Sequence, residues 1–179
     1  MQAQANRAST GRAAIQPDIG EKFRGAMRRL AATVTIISTG EGDQRHGMTA
    51  TAVASLSVDP PSILVCVNRQ AGMHPYMIEN EKFCVNVLHR DQAEAAIAFA
   101  GKLDRESRFG VGNWVSDDHG TPYLLDAQAN LFCRKVNAIP YASHTIFLAE
   151  VCDVRMLDCV APLVYSNGDY MEAVHRHTA

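Results

Sequence analysis

The stretch HGMTATAVASLSVDPPSILVCVNR, residues 46–69, restricts the possible folds of this chain more than any other part of it. Its composition predicts two buried strands joined by a corner at Pro60-Pro61, because proline fixes the backbone of a turn and cannot donate to a strand ladder. The second strand, residues 62–67, is almost continuously aliphatic and ends in the polar pair Asn68-Arg69. The stretch therefore predicts a pair of strands with a polar turn at its far end.

The first of these strands has unusually small side chains. Its apolar members are Gly47, Ala50, Ala52 and Ala54, and its hydroxyl-bearing members are Thr49, Thr51, Ser55 and Ser57. Such residues add little to a core, because each Å² of buried apolar surface is worth only about 25 cal/mol. They do allow a flat molecule to approach the backbone closely, where N–H groups and hydroxyls can hold it. We therefore predict that this strand faces a ligand.

Length and composition exclude several classes of protein. At 179 residues the chain has the length of one domain with a sizeable core. Its 47% hydrophobic and 20% charged residues exclude global disorder. A net charge of −2 argues against a nucleic-acid-binding protein, which would have a basic stripe. We expect no membrane span and no signal peptide, because no apolar run is long enough for either.

The ends of the chain and its cysteines indicate a single domain in a reducing compartment. Residues 1–17 lack acidic side chains and have no helical hydrophobic pattern, so we expect a disordered tail rather than a transit peptide. The folded domain is predicted over 18–174, with a short C-terminal tail at 175–179. The five cysteines form no C-x-x-C pair and are odd in number, which favours reduced thiols in a cytoplasmic protein.

The hydrophobic pattern predicts more strands than helices. Residues 18–30 have apolar side chains at helical spacing and predict an amphipathic helix that packs on one side. Two short helices are expected, one beginning at His74 and one over 91–99, where Gly101 can end the helix in a left-handed conformation. Strands are predicted at 33–38, 82–88, 129–136, 145–156, 163–165 and 169–174, a hairpin turn at 40–43, and a surface loop or single turn at 102–112. This pattern favours a β-barrel with accessory helices over an alternating βα fold.

Residue spacing alone gives no argument for a catalytic nucleophile or a metal site. The seven histidines lack the H-x-x-x-H and H-E-x-x-H spacings of metal sites, and no G-x-S-x-G motif is present. His144 differs from the other histidines because it directly precedes a predicted strand. A single histidine in such a place is nevertheless more often structural or solvent-exposed than functional.

Five motifs occur in an order that carries more information than any one of them. They are GMTATAVASLSVDPPSILVCVNR, FCVNVL, FAG with a downstream RFG, SHTIFLAEV and PLVYSNGDY. Over residues 20–172 this series resembles the short flavin reductases of the flavin reductase-like domain family, the small components of two-component flavin-dependent monooxygenases. The resemblance implies a split β-barrel of Greek-key, FMN-binding type and a homodimer. It also implies bound FAD or FMN, reduced by NADH or NADPH.

The resemblance assigns roles to individual residues of this chain. The backbone of the segment Thr49, Ala50, Thr51 and Ala52 is implied to contact the edge of the flavin ring. The ring or the ribityl chain would be lined by Ser55, Leu56 and Ser57. The turn formed by Asn68, Arg69 and Gln70 would hold a phosphate, since arginine suits an anion bidentately. The cofactor's phosphate or adenine side is matched by Phe99, Ala100, Gly101, Arg105 and Arg108.

The resemblance implies a nicotinamide pocket at His144. The motifs of this chain depart from the family pattern at two places. Many members read Gly-Asp-His where this chain reads Ala142-Ser143-His144. The serine common two or three positions after the arginine is replaced by Ala71-Gly72, so backbone N–H groups are expected to hold more of the phosphate. Hydride transfer requires only that two cofactors be oriented against each other, which explains why no catalytic acid, base or nucleophile is evident.

Three functions are open to a chain with these features. The leading hypothesis is an NAD(P)H:flavin oxidoreductase that supplies reduced flavin to a separate oxygenase. A second is a non-catalytic flavin-binding or storage protein of the same barrel class, which would bind flavin and ignore NAD(P)H. A third is a β-barrel interaction module without a cofactor, which would be colourless and unaffected by flavin.

Overall fold

The computed structural model describes residues 17–173, in which strands predominate. The strands are β1 (Ala32–Thr33), β2 (Thr35–Thr39), β3 (His46–Ala50), β4 (Val53–Val58), β5 (Pro61–Asn68), β6 (Lys82–Val87), β7 (Trp114–Ser116), β8 (Pro122–Leu124), β9 (Ala129–Tyr141), β10 (His144–Met156), β11 (Leu163–Ser166) and β12 (Asp169–Glu172). The α-helices are α1 (Pro17–Met27), α2 (His74–Glu79), α3 (Ala93–Ile97) and α4 (Arg105–Phe109). The predicted class, mainly β with accessory helices, is confirmed. The predicted tails at 1–17 and 175–179, apart from Pro17, lie outside the described residues.

Seven strands form one antiparallel sheet in the order β3-β2-β6-β9-β10-β5-β4. In a flat sheet its two edge strands would lie about 29 Å apart, because neighbouring strands are about 4.8 Å apart. Only Thr51-Ala52 joins the edge strands β3 and β4, and this link spans at most about 11 Å. The sheet is therefore rolled until its edges approach each other. The non-consecutive neighbours, such as β5 beside β10, agree with the predicted Greek-key connections.

The rolled sheet encloses one apolar core, and the helices cover a second. The first core includes Val65, Phe83 and Phe147, all at most 1% exposed. The second packs Phe99 and Phe109, the last residue of α4, against Ala95 and Ala96 of α3. The two cores divide the molecule into a strand scaffold and a helical layer that rests on the start of β3.

A buried amide ties four strands of the scaffold together. The Asn86 side chain on β6 donates to Ile36 O at 2.8 Å and to Ser38 Oγ at 2.9 Å, both on β2. Its Oδ1 accepts from the Leu124 N–H at 2.8 Å, on β8, and from the Asn130 amide at 2.9 Å, on β9. Every hydrogen-bonding position of this side chain is thus used, which is what makes its complete burial tolerable.

The prediction that the first part of the 46–69 stretch forms a single buried strand is wrong. The structure divides it into β3 and β4, which lie at opposite edges of the sheet. All of β4 beyond Val53 is exposed, and its Val58 side chain is 90% accessible. The small side chains therefore mark the place where the chain crosses from one sheet edge to the other. The second predicted strand is confirmed as β5, and the peptide bond Asp59-Pro60 at the corner is cis.

The amphipathic helix is confirmed as α1, but the expectation that its apolar side is packed is wrong for the single chain. Ile19, Phe23 and Met27 are 46–63% exposed. The apolar stripe of α1 is therefore free to pack against something other than the rest of this chain.

Three further differences concern local breaks in the pattern. The helix predicted over 91–99 is divided into a 3₁₀ turn at Arg90–Gln92, α3, and a π-helical turn at Ala98–Lys102. As predicted, Gly101 has a positive φ of 99° at the end of this segment. The loop at 102–112 contains α4, and the hairpin of β7 and β8 was not predicted because these strands have only three residues each. Within residues 17–173 no helix is long and apolar enough to cross a membrane.

Candidate functional site

The sequence-predicted residues of the β3–β4 segment lie along one continuous path of the chain. The Thr49 hydroxyl donates to Ala96 O on α3 at 2.6 Å, and Ala50 is buried. Thr51 and Ala52 are exposed at the crossing point and line a groove of about 480 Å³. The opposite wall of this groove is the apolar side of α1, including Phe23. This groove, the α1 groove, has small side chains on its floor and the apolar side of α1 along one wall, an arrangement that is suited to a planar ring.

The three predicted residues on β4 are exposed on the strand surface. Ser55 and Leu56 project from the strand without side-chain hydrogen bonds in the described part of the chain. The Ser57 hydroxyl is engaged locally, since it donates to Asp59 O at 2.9 Å and accepts from the Asp59 N–H at 3.1 Å. Ser57 therefore supports the proline corner, and Ser55 and Leu56 have side chains free for contact with a ligand.

The structure brings the predicted phosphate turn and the predicted nicotinamide histidine together. Asn68, the last residue of β5, lies opposite His144, the first residue of β10. The Arg69 N–H donates to Ser143 O at 2.9 Å, and Asn68 Oδ1 accepts from the Gln70 N–H at 2.9 Å. Residues that are 76 positions apart in the sequence thus share one end of the β5–β10 strand pair. Arg69 and His144 are both exposed there.

His144 is oriented by its neighbouring serine. The Ser143 hydroxyl lies 2.9 Å from His144 Nδ1, and Nε2 makes no hydrogen bond within the described residues. Ala142, at the tip of the same turn, has a positive φ of 48°. A left-handed conformation disfavours a residue with a Cβ by about 1 kcal/mol and suits glycine.

The third predicted group divides into one packing residue, two exposed turn residues and two pocket residues. The Phe99 side chain is 1% exposed and packs edge-on against Phe109, with ring centroids 5.0 Å apart, so this ring supports the core and is not available to a ligand. Ala100 and Gly101 are exposed in the π-helical turn. Arg105 and Arg108 project from α4 into a pocket of about 270 Å³.

This pocket, the arginine pocket, includes residues that the sequence did not predict. Its lining consists of His46, Gly47, Gly72, Met73, Tyr76, Arg105, Arg108 and Phe109. Among the described residues, no carboxylate lies within ion-pair distance of either guanidinium. Two arginines without an acidic partner in one concave site are suited to a phosphate. The position of His46 directly before the ligand-facing segment was the signal that could have identified it.

Helix α2 connects the arginine pocket to the end of the strand pair that carries His144. Tyr76 of α2 lines the pocket, whereas Nε2 of its first residue, His74, lies 2.9 Å from Thr145 Oγ1 on β10. Burial, and then the charge of Arg69, lower the pKa of His74. The predicted residues therefore lie around β3 and α2. The α1 groove and the arginine pocket lie at opposite ends of β3, which separates them by about 17 Å.

The buried thiols have no environment that would make them nucleophiles. Burial raises the pKa of Cys133 to about 12 and raises that of Cys84 well above its usual range. Among residues 17–173, no cluster of three potential metal ligands is present. The site offers cations, hydroxyls and apolar surface, which are groups that bind and orient a ligand.

Comparison with known proteins identifies the same kind of molecule throughout. The model of the flavin reductase like domain matches residues 27–173. The reductase component of an FADH₂-dependent resorcinol hydroxylase from Rhizobium sp. is 45% identical over 157 residues, 87% of this chain and 88% of that protein. The NADH-dependent FMN reductase RutF of Stutzerimonas stutzeri is 39% identical over 154 residues, 86% of this chain and 88% of that protein.

A solved structure agrees with these sequence relatives. The NADH:FAD oxidoreductase SgcE6 of Streptomyces globisporus, in complex with NAD and FAD fragments, superposes with a TM-score of 0.82 at 28% identity. The superposition covers 93% of this chain and 99% of that one. The predicted split-barrel fold is thereby confirmed.

The contact between Gly47 and Phe99 allows a specific prediction about the arginine pocket. A Cβ on Gly47 would lie 2.6 Å from Phe99 Cε1, so Gly47→Ala must displace the ring and the adjoining turn. We expect a loss of about 1–3 kcal/mol in the free energy of unfolding, measured by urea denaturation. Gly72→Ala is the matched control, because nothing lies within 4 Å of a Cβ at that pocket residue. Equal stability of the two variants would show that Phe99 does not approach β3 this closely.

Proposed function

Because this chain belongs to the flavin reductase-like domain family, and is thus an NAD(P)H:flavin oxidoreductase, we propose that the α1 groove and the arginine pocket together hold its flavin. The observation that carries this proposal is the position of β3, which begins at the arginine pocket and ends at the groove. One strand thus connects a site suited to a planar ring with a site suited to a phosphate.

The chemical groups at the two sites fit FAD or FMN. The groove offers Thr51 and Ala52, whose small side chains leave the backbone accessible to a ring. Arg105 and Arg108 offer guanidinium groups that no described carboxylate neutralises, as a phosphate or pyrophosphate requires. Thr49 holds α3 against β3, and thereby keeps the helical layer in place above the strand.

The chain's own residues act by binding and orientation. When bound, reduced nicotinamide supplies the hydride and the flavin ring accepts it. His144 would position the nicotinamide from the end of the β5–β10 pair, with its ring held by Ser143. Asn68, Arg69 and Gln70 stand beside it and would hold a phosphate through the Arg69 side chain and backbone N–H groups. Placing two rings in contact contributes most of the catalysis, because the reacting atoms must lie about 3–3.5 Å apart.

A rate matrix tests the proposed activity. Purified protein mixed with NADH or NADPH and an excess of FAD or FMN should oxidise the nicotinamide catalytically, as followed by its absorbance. Absence of turnover with all four combinations would contradict the activity. Flavin binding without nicotinamide oxidation would instead identify a flavin-binding or storage protein.

The proposed ring site can be tested at the crossing between the two edge strands. Ala52→Leu should lower flavin affinity at least tenfold, because the larger side chain fills the floor of the groove while remaining exposed in the apoprotein. Quenching of flavin fluorescence measures the affinity, and the far-ultraviolet circular dichroism spectrum checks the fold. Ala173→Leu, at an exposed residue beyond β12, is the control. Unchanged flavin affinity in Ala52→Leu would place the ring elsewhere.

The role of His144 can be separated from flavin binding. His144→Ala should raise the KM for NADH or slow hydride transfer, and should leave the flavin dissociation constant nearly unchanged, because β5 lies between His144 on β10 and the Ala52 crossing on which the flavin ring is proposed to rest. Steady-state kinetics and flavin titration measure the two effects. His119→Ala, in an exposed loop, should change neither. An equal loss of flavin affinity in His144→Ala would contradict the assignment.

We also propose that the protein is a homodimer. In support, the apolar side chains of α1 are exposed, and Leu56 and Val58 are exposed on the edge strand β4. Apolar surface of this extent is usual where a second chain packs. Light scattering should then give twice the chain mass of 19.5 kDa. Phe23→Glu should shift the mass towards the monomer and the control Glu21→Ala should not; a monomeric parent protein would contradict the dimer.

The proposed function also implies a partner protein and a cellular compartment. We propose that reduced flavin passes from this protein to a separate flavin-dependent oxygenase, as the name of the Rhizobium relative indicates for that protein. We place the protein in the cytoplasm, which is supported by the five free thiols of residues 17–173, since a reducing compartment keeps cysteines unpaired.

A further inference from the structure

The imidazole of His46 lies inside the arginine pocket and has no role in the function described so far. It is the first residue of β3 and is 8% exposed. Its Nε2 lies 3.5 Å from Arg105 Nη1. Arg108 is directed to the same region, since its Nη1 donates to the carbonyl of the next residue, Gly47, at 3.4 Å. Three nitrogen-bearing side chains thus converge on one small cavity.

The orientation of the His46 ring is fixed by stacking. The Tyr76 ring of α2 lies parallel to it, with centroids 3.2 Å apart and an interplanar angle of 13°. Arg108 is also held in place, in this case by a hydrogen bond, because its Nε donates to Leu103 O at 2.8 Å. The pocket is therefore largely organised before a ligand enters, which reduces the entropy lost on binding.

The positive charges around His46 make the protonation of its ring sensitive to a bound anion. The groups that face it are the Tyr76 phenol from α2 and the guanidinium groups of Arg105 and Arg108 from α4, and none of them is a carboxylate. A neighbouring depression is lined by Asp43, Arg45, Arg105, Glu106 and Phe109, and its two carboxylates do not line the arginine pocket. Burial, and then the charges of Arg105 and Arg108, lower the pKa of His46. The pocket without an anion therefore disfavours the protonated imidazole.

We propose that His46 is a third phosphate-binding residue of the arginine pocket and that it contacts the flavin's phosphoryl group as an imidazolium. This inference rests on the proposed flavin site and adds to it a specificity for phosphorylated flavins over riboflavin. An anion bound between the two guanidinium groups reverses the local potential and favours the protonated ring. Binding then takes up a proton from solvent, and no other bond forms or breaks.

The sign of the pH dependence follows from this linkage. The pKa of His46 is higher with the phosphate bound than without it. The contribution of His46 to affinity is therefore complete below the free-state pKa and is lost as the pH rises through the bound-state pKa. Between the two values, one linked proton changes affinity by at most about tenfold per pH unit.

The experiment compares FMN with riboflavin, which lacks the phosphate. Flavin fluorescence quenching gives both dissociation constants between about pH 5.5 and 8, where histidine titrates. The variant His46→Gln keeps a neutral donor near the position of Nε2, and His119→Gln in a remote exposed loop is the control. Because the phosphate of free FMN titrates identically in every experiment, the ratio of parent to variant removes that titration from the comparison.

The expected result has two parts. At low pH the preference for FMN over riboflavin should be at least threefold larger in the parent protein and in His119→Gln than in His46→Gln, and this difference should vanish towards pH 8. Riboflavin affinity should be the same in all three proteins, which also shows that His46→Gln is folded. Calorimetry in two buffers of different ionisation enthalpy should detect proton uptake on FMN binding to the parent protein and less in His46→Gln.

Three results would overturn the inference. Identical pH profiles of the FMN preference in parent and His46→Gln would show that His46 does not meet the phosphate. An equal loss of riboflavin and FMN affinity would show a purely structural role. Weaker binding of NAD⁺ by His46→Gln, with the FMN preference intact, would assign the pocket to the nicotinamide nucleotide. In each case NADH oxidation with excess flavin would still report separately on the proposed reductase activity.

Discussion

The architecture depends on one covalent constraint, the two-residue link between the edge strands of the seven-stranded sheet. Thr51 and Ala52 are too short a connection to join these edges unless the sheet rolls up. Rolling encloses the core around Val65 and Phe147, and it leaves the crossing point itself uncovered. Small side chains suit that crossing because the backbone must turn sharply there without clashing with its neighbours. The same small residues form the floor of the groove, so closure of the sheet and access to the backbone have one structural cause.

The second requirement is that the helical layer lie close to β3. Gly47 permits this, because any larger residue would collide with Phe99. The contact brings the turn after α3, and then α4, over the start of the strand, where Arg108 donates to Leu103 O and Gly47 O. The arginine pocket is thus a consequence of packing in the second core, and its cations come from loops and short helices held on a rigid sheet. Binding sites commonly combine loops that vary in sequence with a rigid scaffold that holds them in position.

Sequence reasoning succeeded for the elements whose signal is local and failed where partners are distant. The aliphatic run of β5, the short helix at His74 and the left-handed Gly101 were all predictable from residue type and spacing. The separation of β3 from β4 was not, because both halves have the same composition and differ only in which strand they pair with. The FAG motif assigns Phe99 to the cofactor loop, whereas the structure buries its ring against Phe109 and Trp114.

The sequence by itself determined the predominance of strands and, through five ordered motifs, membership of a flavin reductase-like family; it also predicts that residues 46–58 face a ligand. These properties depend on local composition and order, which a linear chain displays directly. Only the tertiary structure decided that His46 and Tyr76 stack, that Arg105 lies beside that histidine, and that Asn68 faces His144 across two strands. Such contacts join residues that are tens of positions apart. They arise from strand pairing and core packing, which satisfy hydrogen bonds and burial over the whole molecule at once.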